Sequence, residues 1–270
     1  DLIVGGRLHA ARIDAVGAAL DAAGLRATLH AHHGINLMDR ADPETHRRAA
    51  EASVDICHRL GIASMVIHSG VASRDLWQTD RAALLAEERD AFRRLADVAG
   101  RAGVRLAVEN MIAKPAGSPV VAYGAHPAAL AEQLAVIDHP SVGATLDFGH
   151  AWLSAPLLGF DYLAELEAVS PWVWHLHLHD NCGTPDRPGA PDAGDAVMLG
   201  LADMHAPMFL GTIPWLELLP RMRFRAGTKG MIELNWRFMA DAPQVVATAR
   251  AFAAFLDGGP APRDPFGETP

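Results

Sequence analysis

The sequence is poor in cysteine, in aromatic side chains and in basic residues. Only two cysteines stand among its 270 residues. Cys57 falls in a helical stretch and Cys182 in a loop after a strand, so nothing resembles a disulfide framework and a reducing compartment is expected. No apolar run approaches the ~20 residues that cross a bilayer. The residues after Asp1 show no signal-peptide pattern. The expectation is therefore a cytoplasmic protein with no membrane partner. Acidic residues outnumber basic ones, 32 against 23, for a formal net charge of -9. Proteins that grip nucleic-acid phosphates carry a basic footprint. Its absence argues against a nucleic-acid partner and for a small-molecule substrate, while a homo-oligomer remains open. The chain also lacks a Gly-rich dinucleotide or P-loop signature after an early strand, which removes the best support for an open Rossmann sheet.

Half of the residues are hydrophobic, enough to bury a full core. The length matches one parallel α/β barrel, which needs roughly 250 residues. Short apolar runs alternate with helical stretches. The runs are Leu25–His30, Ala63–His68, Val104–Glu109, Val142–Asp147, Val173–His179 and Met231–Asn235. Helical patterns cover roughly 9–23, 43–60, 80–102, 126–138, 160–169, 213–221 and 242–257. Asp42-Pro43 puts a capping residue before a proline at the first helical position, and Thr79 and Asp241 precede two other helices. Such alternation predicts right-handed βαβ units and a parallel sheet. The run ends His30, His68, Glu109 and Asp147 lie 38, 41 and 38 residues apart, a regular βα rhythm. Six clear runs are present, and Leu2–Val4 reads as the end of another. The shortfall from eight means either that a weak strand goes unread or, the reading favoured here, that an N-terminal strand–helix unit or more lies outside this sequence. We expect one barrel domain over 1–257 and an irregular Gly- and Pro-rich tail over 258–270.

Each run ends in a metal-ligand residue type. They read TLH (His30), VIHSG (His68), AVEN (Glu109), ATLDFGH (Asp147, His150), HLHLHDN (His175, His177, His179, Asp180) and MIELN (Glu233), with a further loop ADMH (Asp203, His205). In a parallel barrel all the C-terminal strand ends open on one face, so residues distant in sequence converge there. A lone histidine at a strand end is more often structural than ligating. Ionisable groups ending six apolar strands in six are costly unless paired or metal-bound, and the cluster points to a divalent-metal centre. Imidazole and carboxylate suit Zn or Mn foremost, and also Fe or Co. His175, His177 and His179 share one face of their strand, and the ligand should lie near its end.

These motifs resemble the xylose-isomerase-like barrels, the superfamily of sugar isomerases, epimerases and AP endonucleases. The resemblance spans roughly residues 25–236. HAHHGINL is similar to the third-strand segment, VIHSG to the fourth-strand His, VENM to the fifth-strand Glu and LDFGHA to the Asp-x-x-His of the sixth. HLHDN resembles the seventh-strand motif and selects His177 as ligand, with Asp180 as the partner that orients it. DMHAPMFLGTIPW resembles the Asp-x-His loop and IELN the eighth-strand Glu. The resemblance implies a (β/α)8 TIM barrel and nine metal-site residues: His30, His68, Glu109, Asp147, His150, His177, Asp203, His205 and Glu233. That set is similar to the trinuclear centre of type-IV AP endonucleases. Epimerase-type members use mainly Glu109, Asp147, His177 and Glu233 around one ion.

Two mechanisms follow from the resemblance. In an isomerase or epimerase of a sugar, sugar phosphate or polyol, Glu109 and Glu233 exchange a proton as acid and base, and His150 hydrogen-bonds a substrate oxygen. Such enzymes place an arginine shortly after the seventh-strand His. This chain has Asn181-Cys182-Gly183 there, and Arg187 lies further on. In a phosphoesterase, two or three ions activate a bridging water. The ligands suit this, but basic–aromatic interleaving for a nucleic-acid substrate is missing. A third reading is a non-enzymatic or partner-dependent barrel subunit. Trp152, Trp172, Trp174, Trp215 and Trp236 neighbour the motifs and could line a substrate pocket or pack helices on the barrel.

Overall fold

The structure is a computed structural model that describes residues 2–4, 7–185 and 193–266. Arg187 lies outside the described residues. Six strands form one sheet: β1 (Leu29–His30), β2 (Ser64–His68), β3 (Arg105–Glu109), β4 (Val142–Asp147), β5 (Val173–Leu178) and β6 (Lys229–Ile232). Their order in the sheet is their order in the chain. Leu29 pairs with Met65, Ser64 with Arg105 and Lys229 with His175, all in parallel. The principal helices are α1 (Ala10–Ala23), α2 (Pro43–Arg59), α3 (Arg74–Arg101), α4 (Pro127–Ile137), α5 (Phe148–Leu158), α6 (Tyr162–Val169) and α7 (Ala242–Leu256). Among the described residues no helix is long and apolar enough to cross a membrane.

The expected alternation is observed, with several local differences. Leu2–Val4 gives no strand to the sheet. Ile3–Val4 pairs antiparallel with Arg7–Leu8 instead. The run Met231–Asn235 is shifted: β6 ends at Ile232, and a 3-10 segment begins at Trp236. Thr79 does not start a helix. α3 begins six residues before Asp80 behind the cap Ser73, and the chain kinks at Asp80 (φ -131°, ψ 20°). Arg40 reaches across to this point, donating to Asp80 at 2.8 Å and to Glu87 at 2.8 Å. Asp42 does cap α2, accepting from the Thr45 amide at 3.2 Å. Helix α5 carries two breakers, Gly149 and Pro156, which hide it from periodicity; the Asp147 side chain starts it by accepting from the His150 amide at 2.7 Å.

By its internal contacts the chain forms two compact units. The first comprises Asp1–Glu109, Pro119–Tyr123 and Glu132–Ala144, and the second Asn110–Ser118, Gly124–Ala131 and Thr145–Pro270. The first unit buries Met65, Ile67, Leu84, Phe92, Leu95 and Leu106. Each such side chain contributes about 1.5–3 kcal/mol on leaving water. The second buries Leu146, Phe148, Leu153, Leu166 and Trp215, with the Phe148 and Trp215 rings edge-on at 4.9 Å.

One carboxyl lies deep in the first unit. Glu88 is fully buried, accepts from the Gly70 amide at 2.6 Å and from Gln133 Nε2 at 3.1 Å, and hydrogen-bonds Tyr123. Burial pushes its pKa up, and these donors offset only part of that. A raised folded-state pKa gives stability that is present below the unfolded value and is lost as pH rises through the folded one. Urea unfolding of wild type and Glu88→Gln over a pH series tests this. From about pH 4.5 upward the wild type should lose stability relative to the variant, whereas parallel curves would show that Glu88 does not titrate differently on folding.

Candidate metal centre

The first unit assembles three of the expected residues. Parallel register sets His68 on β2 directly beside Glu109 on β3, and His30 ends the adjoining β1. Glu109 Oε2 lies 3.0 Å from His30 Nε2 and 3.6 Å from His68 Nε2, and Glu109 is buried. The two imidazoles meet edge-on, 5.1 Å between centroids. His30 Nδ1 is 2.6 Å from the Ala31 carbonyl. A carbonyl only accepts, so Nδ1 carries a hydrogen, and a ring with no second proton turns its Nε2 lone pair toward the Glu109 carboxylate. Two lone pairs facing each other call for a proton or a cation.

The second unit assembles the other six. Asp147 ends β4 with no exposure. Its backbone is held by Asn110: Asp147 N donates to Asn110 Oδ1 at 2.8 Å and Asn110 Nδ2 donates to Asp147 O at 2.9 Å. His150 Nδ1 donates to the Asn110 carbonyl at 2.9 Å, so the neutral ring presents its Nε2 lone pair. That atom lies 3.7 Å from Asp147 Oδ2 and 3.5 Å from Asp203 Oδ2. His177 Nδ1 is 3.3 Å from Asp147 Oδ2 and 3.4 Å from Glu233 Oε2. His205 reaches Asp203 at 2.8 Å through Nε2 and Glu233 at 3.9 Å through Nδ1. All nine expected residues are therefore found in two groups, three in one unit and six in the other.

The loop that carries Asp203 and His205 is anchored from the end of β5. Asp180 and Ala206 exchange backbone hydrogen bonds at 2.8 and 3.0 Å. The Asp180 carboxylate accepts from the amides of Asn181, Phe209 and Ile213 at 2.8, 3.0 and 3.2 Å and from Trp215 Nε1 at 2.7 Å. The carboxylate that the sequence reading expected to orient His177 is thus engaged in holding this loop. A Cβ at Gly211 would sit 2.3 Å from both Asn181 O and Asp180 Oδ1, so only glycine fits that turn. His205 itself has φ 48°, a left-handed conformation uncommon outside glycine. Trp215 is a packing residue, while Trp236 stands 72% exposed beyond Glu233.

Two contributors lie outside the nine residues that the resemblance assigns. Asn110 holds the end of β4 with its amide, and its only sequence signal is its place after Glu109. His179 has no exposure, and its Nε2 lies 3.1 Å from each oxygen of Asp147; its signal was the face it shares with His177.

The charges are mutually adjusted. Burial is the largest influence on Asp147 and opposes its ionisation, yet His150, His179 and His177 together hold its carboxyl well below the usual range. Asp203 is lowered likewise: burial opposes this, and His150, His205 and His179 outweigh it. Burial also opposes charge on His179, and Asp147 and Asp203 reverse that, raising its pKa.

These spacings suit a cation. Donors about 2.0–2.2 Å from one ion lie roughly 3–3.6 Å apart in tetrahedral or octahedral geometry. The separations about His177, 3.3 and 3.4 Å, fall in that range. Asp147, His177 and Glu233 each offer an atom within 4.8 Å of the others, so this group could hold a metal ion.

The model of the xylose isomerase-like TIM barrel matches residues 4–254. The chain belongs to this family. No curated protein sequence matches it. Among solved structures it is similar to a D-tagatose 3-epimerase-like protein (18% identity, 91% of this chain and 84% of that one, TM-score 0.67). It is also similar to a Thermus thermophilus protein, TTHB071, soaked with ZnCl2 (21%, 92% and 87%, 0.62). A third likeness is to D-psicose 3-epimerase in the presence of D-fructose (16%, 91% and 82%, 0.56). At these identities the likeness establishes the TIM-barrel fold. The structural relatives include sugar epimerases and isomerases.

Asp180 supplies a test of the anchoring. Replacing it by alanine leaves buried N–H donors without an acceptor, each costing about 1–3 kcal/mol. Asp180→Ala should lose roughly 3 kcal/mol or more in urea unfolding, with a shifted Trp215 fluorescence. A loss within the range of an ordinary surface substitution would show that the loop does not depend on this carboxylate.

Proposed function

We propose that the protein is a divalent-metal-dependent isomerase or epimerase of a sugar, sugar phosphate or polyol. The observation that carries this reading is the group of buried Asp147 and His177 with part-exposed Glu233, in which His177 Nδ1 stands at metal-ligand separations from both carboxylates at the strand ends of this barrel family. These three residues would hold the ion, with Glu109 as the fourth ligand that the family resemblance assigns. Zinc or manganese suits such a donor set best, and iron or cobalt also fits. A bound divalent ion supplies Lewis-acid polarisation of a carbonyl and its neighbouring hydroxyl.

The chain's own residues do the rest. Glu109 and Glu233 remove and return the proton on carbon, one as base and the other as acid. Glu233 keeps about a quarter of its side chain exposed and Asp147 none, so substrate approaches from the Glu233 side while Asp147 stays fixed beneath. With its Nδ1 committed to the Asn110 carbonyl, His150 accepts a substrate hydroxyl at Nε2. The epimerases among the structural relatives support the reaction class, and the acidic net charge supports a small substrate over nucleic acid.

A second reading has its own observation. Asp203 and His205 stand beside His150 and add donors beyond the four that one ion needs. A multinuclear phosphoesterase would use them, with His30 and His68 completing the set.

Metal content per chain, by elemental mass spectrometry, separates the two. One ion per chain, together with deuterium incorporation from heavy water into a ketose or inosose, is the expected result. Glu109→Gln and Glu233→Gln should each lower kcat by about 10²-fold or more. Two or three ions per chain with phosphoester hydrolysis would transfer the assignment to the second reading. No metal uptake at all would end both.

A further inference from the structure

We infer that His179 is a positioning residue for the metal centre: it clamps Asp147 so that one carboxylate oxygen is turned to the ion, and it stays outside the coordination sphere. This rests on the metal reading above and adds to it a residue outside the nine assigned ones.

The geometry separates the two oxygens of Asp147. Oδ1 accepts from the His150 amide at 2.7 Å, the bond that starts α5. Oδ2 is the atom nearest His177, at 3.3 Å. His179 Nε2 lies 3.1 Å from both. A carboxylate only accepts, so Nε2 donates, and one ring nitrogen restrains rotation about the final bond of Asp147. Carboxylates that ligate metals are characteristically held in this way by a further hydrogen bond.

Four observations bear on the residue. His179 has no exposure. Its other nitrogen, Nδ1, faces Asp203 Oδ1 at 3.6 Å, and neither atom has a hydrogen-bond partner among the described residues. The ring therefore stands between the two aspartates and sets their spacing. The backbone is also shaped around it: a Cβ at Gly149 would lie 2.2 Å from His179 Cε1, so the first turn of α5 requires glycine for the ring to fit. Finally, His179 stacks on His205 with centroids 4.3 Å apart and planes 10° from parallel. His179, His205 and Glu233 offer donor atoms close enough to share an ion. An imidazole binds metal in its ring plane, however, and two stacked parallel rings do not aim at one point. The stack therefore favours a supporting ring over a ligating one.

The test compares wild type with His179→Gln, His179→Asn and His179→Ala. Glutamine can place an amide nitrogen near the position of Nε2, and asparagine near that of Nδ1. Affinity is measured by equilibrium dialysis with Zn2+ and with Co2+, the geometry by the visible spectrum of the Co2+ form, and the fold by melting of the metal-free proteins. His179→Asn and His179→Ala should lose 10–100-fold in affinity while still melting cooperatively. His179→Gln should recover most of that loss and keep the wild-type Co2+ spectrum. If alanine fails to fold, the Gln–Asn pair decides. Equal affinities for Gln and Asn, or a Co2+ spectrum altered in the Gln variant as for a lost nitrogen ligand, would overturn the inference. Wild type that binds neither ion overturns the metal reading and this inference together. Wild type that binds, with both amide variants matching it, overturns this inference alone.

Discussion

Asp147 is an ionised carboxylate with no exposure, at the end of a strand buried along its whole length. Such a charge is not tolerated alone, and the surrounding structure can be understood as its accommodation. The Asn110 amide pairs with the backbone of Asp147 on both sides. Helix α5 begins where it does because Oδ1 caps it. That start places His150 one turn along, where its ring can reach the Asn110 carbonyl. His177 and His179 complete the shell from β5 and the residue just beyond it. The group that starts a helix thus also orients the imidazoles. Fold and chemistry cannot be altered separately here.

Within the second unit the group is graded by exposure. Asp147, His177 and His179 form a floor at 0–2% side-chain exposure, and His205, Glu233 and Asp203 form a rim at 32, 25 and 19%. A floor supplies rigidity, because its rotamers are held by packing and hydrogen bonds. A rim supplies access. The rim loop has little regular structure of its own, and its place depends on the Asp180 carboxylate and on the bridge between Asp180 and Ala206. A residue that sequence comparison reads as orienting a ligand histidine thereby acts on a different part of the centre.

The strand ends were legible because parallel topology turns a repeated local pattern, apolar run then ionisable residue, into spatial convergence. That logic anticipated, without any contact information, that His30, His68 and Glu109 would meet in the first unit and that Asp147 and Glu233 would both face His177 in the second. It failed where the signal depends on three-dimensional neighbours. Helix α5 was hidden by Gly149 and Pro156, yet Gly149 is needed for the His179 ring, and Pro156 stands late in a helix already started by its cap. Thr79 looked like a helix start because the chain does break there, at Asp80, but inside a helix already under way. Among His175, His177 and His179 a period of two cannot choose, since all three share a face. The choice comes from which carboxylate each ring meets. Asp180 illustrates the converse: its side-chain partners Phe209, Ile213 and Trp215 lie 29 to 35 residues away, beyond any local pattern.

Charge balance unites the fold and the proposed reaction. The second unit brings the carboxylates of Asp147, Asp203 and Glu233 against the imidazoles of His150, His177, His179 and His205. Neutral imidazoles would leave three negative charges together in a largely dry environment, at a high electrostatic cost. Imidazolium protons and a divalent cation are alternative ways to meet it, and ligands must give up protons to bind metal. The lowered carboxylates and the raised His179 have the same origin, an excess of acceptors that requires positive charge. Such an excess is unfavourable for a purely structural core, where apolar residues would do better. It is a suitable property for the proposed site, which would hold a doubly charged ion and leave a carboxylate on the rim to exchange protons with a substrate.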